Sequence, residues 1–429
     1  MKKGFLLILL FLVFLLLFGR ALLYFKNTEK IKNEKTNKIE EEKNPKPSWK
    51  PSEIDNKKET SQNTPQPVQQ PPEKKRLPLS IEKISVLPYE GKSADFLPLI
   101  NANASVETSI TTAVKILEES CGIFPTKEDD IKVVLTDSKN ITKGYPYDVE
   151  ENSDGSFTVS LSLQKVLFNS IPVYELVASG IAESLLIKNH KNFIKFPRFF
   201  RFGLSASLSG LNKYVEKQEV LEIERDGGNF AFSASSETQR PVLNGIFLVD
   251  FLTENCGSGA PKDLLPYFSE ETDFLKFLEK SAKFSFGEIE QNYIRYSKNR
   301  YSSFTKLTPH FISIVAQLRN LKEDETLPLL QEFLRTNPTD IHYGEGLYYL
   351  GYINYRLGNY SEAEKVFSDL LVNHSYETIS HGKAHFFLGR CYQLRGYSSM
   401  AIPEYRYALL DENELLKKVA EKNIKEMSE

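Results

Sequence analysis

Metal and nucleophile chemistry on this chain would have to proceed almost without histidine. The chain has six, and only His190 precedes His310. His381 and His385 stand at i, i+4, a spacing that puts two imidazoles on one helical face, but Gly382 stands where a general base would follow and no third ligand is evident. A solvated helix start is the expectation there. Ser179 and Ser205 are the serines to weigh as nucleophiles. The run Gly203-Leu-Ser-Ala-Ser207 lacks the second glycine of a nucleophile elbow and follows no expected strand, so it reads as a helix of small residues that packs closely. Glu183 has no metal-capable partner at helical spacing, which favours a capped, paired or solvated carboxylate over an acid/base group. Gly91-Lys92-Ser93 ends like a phosphate-binding loop, yet Val86 stands where its first glycine belongs. Three cysteines (Cys121, Cys256, Cys391) form no CxxC site, and Cys121 with Cys256 is the only pair within one expected domain. A net charge of −3 with mixed signs gives no basic footprint for nucleic acid. No cofactor is expected.

The elements that would position these groups follow from periodicity. Ala104–Cys121 has apolar residues at helical spacing, and Ile131–Thr136 and Ser156–Ser162 are rich in β-branched residues and read as strands. The turn Asn152-Ser-Asp-Gly155 leads into the second of them. Tyr174–Leu186 is an apolar helix. After a short basic loop, Phe196-Pro-Arg-Phe-Phe-Arg-Phe-Gly-Leu-Ser-Ala-Ser-Leu-Ser-Gly210 opens another. Arg240–Asn255 is a long amphipathic helix, followed by shorter ones around Lys262–Phe268, Glu271–Ser281 and Phe286–Ser297.

Over residues 79–302 this order resembles the peptidase MA-like branch of the gluzincins. In that family the first helix carries His-Glu-x-x-His and the second opens Pro-x-Trp-x-x-Glu-Gly. The resemblance implies an α+β, zincin-type domain. It places Ser179 and Glu183 at the two histidine positions, Gly180 at the catalytic glutamate and Phe202 at the glutamate ligand. Pro197, the aromatic Phe199 and Gly203 keep the rest of the second motif. The family's chemistry needs two ligands one helical turn apart and a base beside the metal-bound water. A Ser, Glu and Phe set supplies neither, so the resemblance implies a zinc-ligand-less pseudo-peptidase with no metal site. The alternatives are an unrelated α+β domain, or an active hydrolase using an unrecognised site.

The region 306–429 is a repeat array. Gly351, Gly358, Ala363 and Phe367 in one segment match Gly389, Gly396, Ala401 and Tyr405 in the next at identical spacing. This pattern resembles tetratricopeptide repeats, with clear units at 344–373 and 382–410, a degenerate one at 309–338 and a polar capping helix at 411–427. The link between the clear units is about four residues longer than a standard repeat of about 34 allows. The resemblance implies an all-α helical-repeat domain whose concave face binds a protein or peptide. The candidate partner-binding residues are Tyr348, Tyr352, Tyr355, Arg356, Phe386, Arg390 and Gln393. The competing expectation is that several of the tyrosines pack between repeats.

The N-terminus sets the compartment. Lys2-Lys3 precede an uncharged Leu- and Phe-rich run from Gly4 to Gly19. With Arg20 interrupting, it continues through Phe25, close to the ~20 residues needed to span a bilayer. An uncleaved transmembrane signal-anchor over residues 1–26 is expected, with a cleaved signal peptide as the alternative. The lysines after the span outnumber the two before it, which by charge alone would leave the body in the cytoplasm. A short N-terminus before a long domain favours an exported body. Residues 27–78 are a polar linker rich in Lys, Glu, Asn, Gln and Pro, with a reach on the order of 40 Å. Together these features predict a membrane-anchored, non-catalytic scaffold of the cell envelope that binds protein partners.

Overall fold

The computed structural model describes residues 83–87 and 97–429, apart from 127, 138–139, 169, 229, 256–258, 270, 272, 321 and 412. The expected anchor and linker, Gly91–Ser93 and Cys256 lie outside the described residues. No helix among the described residues is long and apolar enough to cross a membrane. The described residues form one compact unit, mostly helical with a small sheet.

The sheet has four strands: β1 (Ile84–Leu87), β2 (Ile131–Thr136), β3 (Tyr147–Glu151) and β4 (Phe157–Ser162). Their order is β1-β2-β4-β3, with β1, β2 and β4 parallel and β3 antiparallel on the edge. Ile131, Val133 and Leu135 stand in register with Phe157, Val159 and Leu161, so alternation puts all six on one buried face. The β1-to-β2 connection is helix α1 (Leu97–Cys121), as a parallel pair requires. The helix begins earlier than apolar spacing indicates, and Val106, Ala113, Val114 and Leu117 are its buried stripe. The β3–β4 hairpin closes on the expected Asn152–Gly155 turn, where Ser156 N donates to Asp154 Oδ1 at 2.9 Å.

A short helix α2 (Leu163–Leu167) leads to α3 (Val173–Asn189), whose side chains from Leu176 to Ile187 are all buried. Apart from Glu183 that stretch is apolar or small all round, as befits a helix in the centre of a domain, and α3 lies against β4, β3 and α1. Next come α4 (Arg198–Ser209), α5 (Asn212–Arg225) and α6 (Pro241–Asn255). A Cβ added to Gly203 of α4 would fall well inside contact distance of the Gly245 carbonyl of α6, and one on Gly245 would strike the Phe199 carbonyl. The two backbones cross with no side chain between them. The Phe-rich entry to α4 fills the space beside that crossing. Phe196 and Phe200 meet Phe277 of α7 (Phe274–Ala282) at ring separations of 5.0 and 5.1 Å.

Helix α8 (Phe286–Phe304) opens with a capping box between Ser285 and Glu288 and carries Arg300 back over α5 and α6. The guanidinium meets Glu216 of α5 at 2.6 and 3.0 Å, Asp250 of α6 at 2.9 Å and the Tyr296 hydroxyl at 2.7 Å. Burial, followed by Glu216 and Glu254, pushes the Asp250 carboxyl up to about 7 against the pull of Arg300.

The remaining helices form stacked hairpins: α9 (Thr308–Ala316) with α10 (Glu323–Thr336), α11 (Tyr343–Arg356) with α12 (Tyr360–Asn373), and α13 (His381–Leu394) with α14 (Ser398–Ala408). Helix α15 (Glu414–Ser428) covers the end. The repeated sequence spacing now has a cause. Gly351 of α11 is where the Phe367 ring of α12 lands, so that a Cβ there would be 2.7 Å from Phe367 Cε1, and Gly389 receives Tyr405 in the same way. Gly358 and Gly396 end α11 and α13 in the left-handed region at φ 78° and 81°, which costs other L-residues energy. The long link between the clear hairpins is held by Glu345, which accepts from Ile379 N at 2.8 Å and Ser380 Oγ at 2.9 Å. It also docks on α5, with Tyr376 edge-on to Tyr214 at 5.2 Å and Glu377 3.6 Å from Lys217 Nζ. The extra residues thus join the hairpins to the sheet-bearing part of the same unit.

Two outcomes test this packing. Gly245→Ala is expected to lose roughly 1–3 kcal/mol in urea unfolding, because the clash is with backbone. Gly287→Ala, in a helix with open space at the Cβ, should be neutral or gain up to about 1 kcal/mol. For Asp250, the folded carboxyl keeps its proton from about pH 4, where the unfolded one loses it, up to about 7. The folded state therefore binds more protons, and this group's contribution to stability falls as pH rises through that window. Asp250→Asn should flatten the stability–pH slope there by as much as about 1.4 kcal/mol per pH unit, and an unchanged slope would refute the assignment.

Candidate functional site

The four positions singled out by the peptidase resemblance come together around the start of β3. Ser179 Oγ of α3 donates to the Tyr147 hydroxyl at 3.0 Å. Phe202 of α4 lies between Tyr145 and Tyr147, 5.5 Å from each ring. Gly180 faces the sheet, where a Cβ would collide with Val159 of β4. A glutamate at this position would have to enter the sheet packing. Glu183, one turn after Ser179, is fully buried and pairs with Arg201 of α4, with Oε1 3.4 Å from Nη1.

The electrostatics are those of a closed interior. Burial is the main reason the Glu183 carboxyl sits above the ordinary carboxylate range, offset by Arg201 and then Arg198. Burial, with Glu183 second, likewise holds the Tyr147 phenol in its neutral form. Among the described residues, neither Nε nor Nη1 of Arg201 makes a directed hydrogen bond, so the attraction to Glu183 is mainly Coulombic. Arg198 closes the outer side. It donates to the Tyr147 carbonyl at 2.8 Å, pairs with Asp148 and lies 4.4 Å over the Tyr145 ring.

The complete motif of the family that this chain resembles would hold zinc, and the residues at these positions do not fit it. The hydroxyl of Ser179 is engaged by a tyrosine, the carboxylate of Glu183 by an arginine, and Gly180 and Phe202 bring no donor atom. His190 ends α3 with its ring edge-on to Phe268 at 5.8 Å. Among the described residues no three His, Cys, Asp or Glu side chains converge as a metal site. Tyr147 is the residue that the sequence analysis missed. It belongs to Tyr147-Asp-Val-Glu-Glu151, whose polar alternation on a sheet edge hid a strand that only pairing with β4 reveals.

The His381 and His385 pair departs from the expected solvated helix start. His381 is buried and bonded to the Ser375 carbonyl, its ring stacked on Phe168 at 5.3 Å, and burial lowers its pKa to about 3. His385 pairs with Glu404 at 2.7 Å and stacks on Tyr407 at 4.5 Å. The site has this form because Phe168, after α2, reaches across to α13, a contact invisible in local sequence. Cys391 is buried, and burial pushes its thiol up to about 12, while Cys121 is half-buried.

The seven candidate partner-binding residues lie on α11 and α13, helices that touch each other. Tyr348, Tyr352 and Tyr355 of α11 all reach Phe387 of α13, at 6.5, 5.1 and 5.1 Å. Tyr348 is buried and also meets Phe367, so it is packing between hairpins. Tyr352, Tyr355, Phe386, Arg390 and Gln393 are half-buried and Arg356 is exposed. Arg356 bridges to Glu323 of α10 at 2.9 Å and donates to the Tyr352 hydroxyl at 3.2 Å. Arg390 donates to Gln393 Oε1 at 2.7 Å, an oxygen that also accepts from Tyr405. Phe387, the hub of this face, was absent from the sequence selection. The doublet Phe386-Phe387 does not say which ring turns toward α11.

Removing one member of the Glu183–Arg201 pair should be costly. Glu183→Leu alone or Arg201→Leu alone is expected to lose roughly 3–5 kcal/mol, because each leaves a buried uncompensated charge. The double variant should lose less than either single one. Strict additivity in denaturant unfolding would show that the two groups do not act as a pair.

No family model matches the chain, and no curated protein matches it in sequence. Its functional reading rests on the geometry above.

Proposed function

We propose that this chain is a membrane-anchored, non-catalytic adaptor, in which a pseudo-peptidase domain of the MA-like, gluzincin type carries a tetratricopeptide-repeat array that binds protein partners. The observation that carries the first half is the closure of the four motif positions by internal contacts: Ser179 to Tyr147, Gly180 to Val159, Glu183 to Arg201 and Phe202 to the two tyrosine rings. A peptidase site needs an open, hydrated metal position beside a base. Here that volume is taken by an arginine and three aromatic rings.

Support for the second half comes from the hairpins. Small residues receive aromatic ones at matched positions, as stacked repeats require, and Arg356, Arg390 and Gln393 edge an aromatic face on consecutive first helices. Aromatic and arginine side chains side by side are the composition of protein-binding surfaces. The N-terminal run of apolar residues supplies the anchor in this reading, with the body exported and the polar linker setting its reach.

Because Tyr348 is buried packing, the test falls on the outer charges. Full-length chain bearing Arg356→Glu and Arg390→Glu should lose the proteins that co-purify with the parent, while melting within a few degrees of it. Co-purification that survives both reversals would move binding off the repeat face. Zinc should be substoichiometric in the purified parent chain. One equivalent that disappears in Glu183→Ala would restore the metallopeptidase alternative.

A further inference from the structure

A cleft of about 1750 Å³ opens between α2, α5 and the loop before β3 on one side and the start of α13 and the approach to α15 on the other. Its floor is a face of α5, where Val215, Gln218, Glu219 and Glu222 recur at helical spacing. None of the four motif positions, and none of the seven repeat-face residues, lines it.

Several of the charges around this cleft are already engaged. Lys165 Nζ donates to Gln218 Oε1 at 2.9 Å. Arg240 donates to Glu222 at 3.2 Å and also pairs with Asp226, and Lys417 is 2.9 Å from Glu414. Glu219 differs. Its residue is only 9% exposed, it lines the cleft, and among the described residues no hydrogen bond or ion pair reaches it. Burial and the neighbouring Glu222 hold its carboxyl well above the usual range, while Lys165 and Arg240 act on it only from a distance. A carboxyl so largely buried, with no partner among the described residues, still opens onto the cleft, and a cation arriving from there would supply a partner.

The cleft has room for an extended chain. It exceeds the roughly 300–1,000 Å³ of small-molecule pockets. Its walls mix both charge signs, Lys143 and Lys383 against Glu237 and Asp411, which suits a polar chain better than an apolar molecule. We propose that this cleft holds an extended segment of a partner protein, with a lysine or arginine side chain seated on Glu219. The site goes beyond the repeat-face reading and does not depend on it.

The test uses the full chain in detergent and capped heptapeptides of glycine and serine carrying one central lysine, norleucine or glutamate. By fluorescence anisotropy the lysine peptide should bind about tenfold tighter than the other two, as a charge-assisted contact predicts. Glu219→Gln, nearly isosteric, should erase that preference, and Arg356→Glu should leave it intact. Loss of co-purifying proteins in the Arg356/Arg390 variant with the lysine preference preserved would separate the two sites. A photo-crosslinker beside the lysine should label residues 215–226 or 378–383 of the parent chain, a readout that needs no variant to fold. Absence of a lysine preference up to millimolar peptide, a preference that survives Glu219→Gln, or labelling confined elsewhere would overturn the proposal.

Discussion

Helices α4 and α6 cross at Gly203 and Gly245 with their backbones in contact, and the direction of every side chain on α4 follows from that crossing. With α4 pinned, Phe202 turns into the two tyrosine rings ahead of and on β3, and Arg201 turns toward α3 to meet Glu183. Phe199 lies buried beside the crossing, while Phe196 and Phe200 enter the aromatic cluster with Phe277. A methyl group at either glycine would push the helices apart and release all these contacts together. Close packing of interiors makes such a shift costly rather than gradual.

The buried charges of the unit give direction more than strength. Glu183 with Arg201, and Arg300 among Glu216, Asp250 and Tyr296, have each been taken out of water, and for the three carboxyls burial outweighs the attraction of the arginine. What they add is specificity. The first pair fixes α3 against α4, and Arg300 fixes α8 across α5 and α6. Asp250 shows the cost most openly, since its carboxyl is held near neutrality by burial while it faces an arginine. Glu219 is the contrasting case, a largely buried carboxyl with no partner among the described residues, at the edge of a cleft.

The hairpins depend on a simpler rule, a small residue on one helix beneath an aromatic on the next. Gly351 with Phe367 and Gly389 with Tyr405 obey it, and Ala363 and Ala401 complete it. Their union with the rest of the unit uses different chemistry. Phe168 stacks on His381, Gln164 donates to the Leu410 carbonyl at 2.8 Å, and Tyr214 meets Tyr376. The long link between the hairpins, fastened by Glu345, makes the last of these contacts within reach.

Much of this was legible before any coordinates. Periodicity placed α1, α3, α4 and α6, alternation placed β2 and β4, and the matched Gly, Gly, Ala and aromatic spacing defined the two regular hairpins. These are local patterns, set by side-chain direction within one element. The absence of zinc-capable residues at Ser179, Gly180 and Phe202 was equally plain, because residue type alone decides it. What the sequence withheld depends on distant segments. Strand β3 became a strand only by pairing with β4, and only then did Tyr147 meet Ser179 and Phe202. Glu183 found its arginine across a helix crossing, and Phe387 rather than Phe386 turned toward the tyrosines. His381 of α13 lost its water to Phe168, more than two hundred residues earlier. Residue chemistry and helical or strand period are written along the chain, whereas which groups share a buried space is settled only when the elements close on one another.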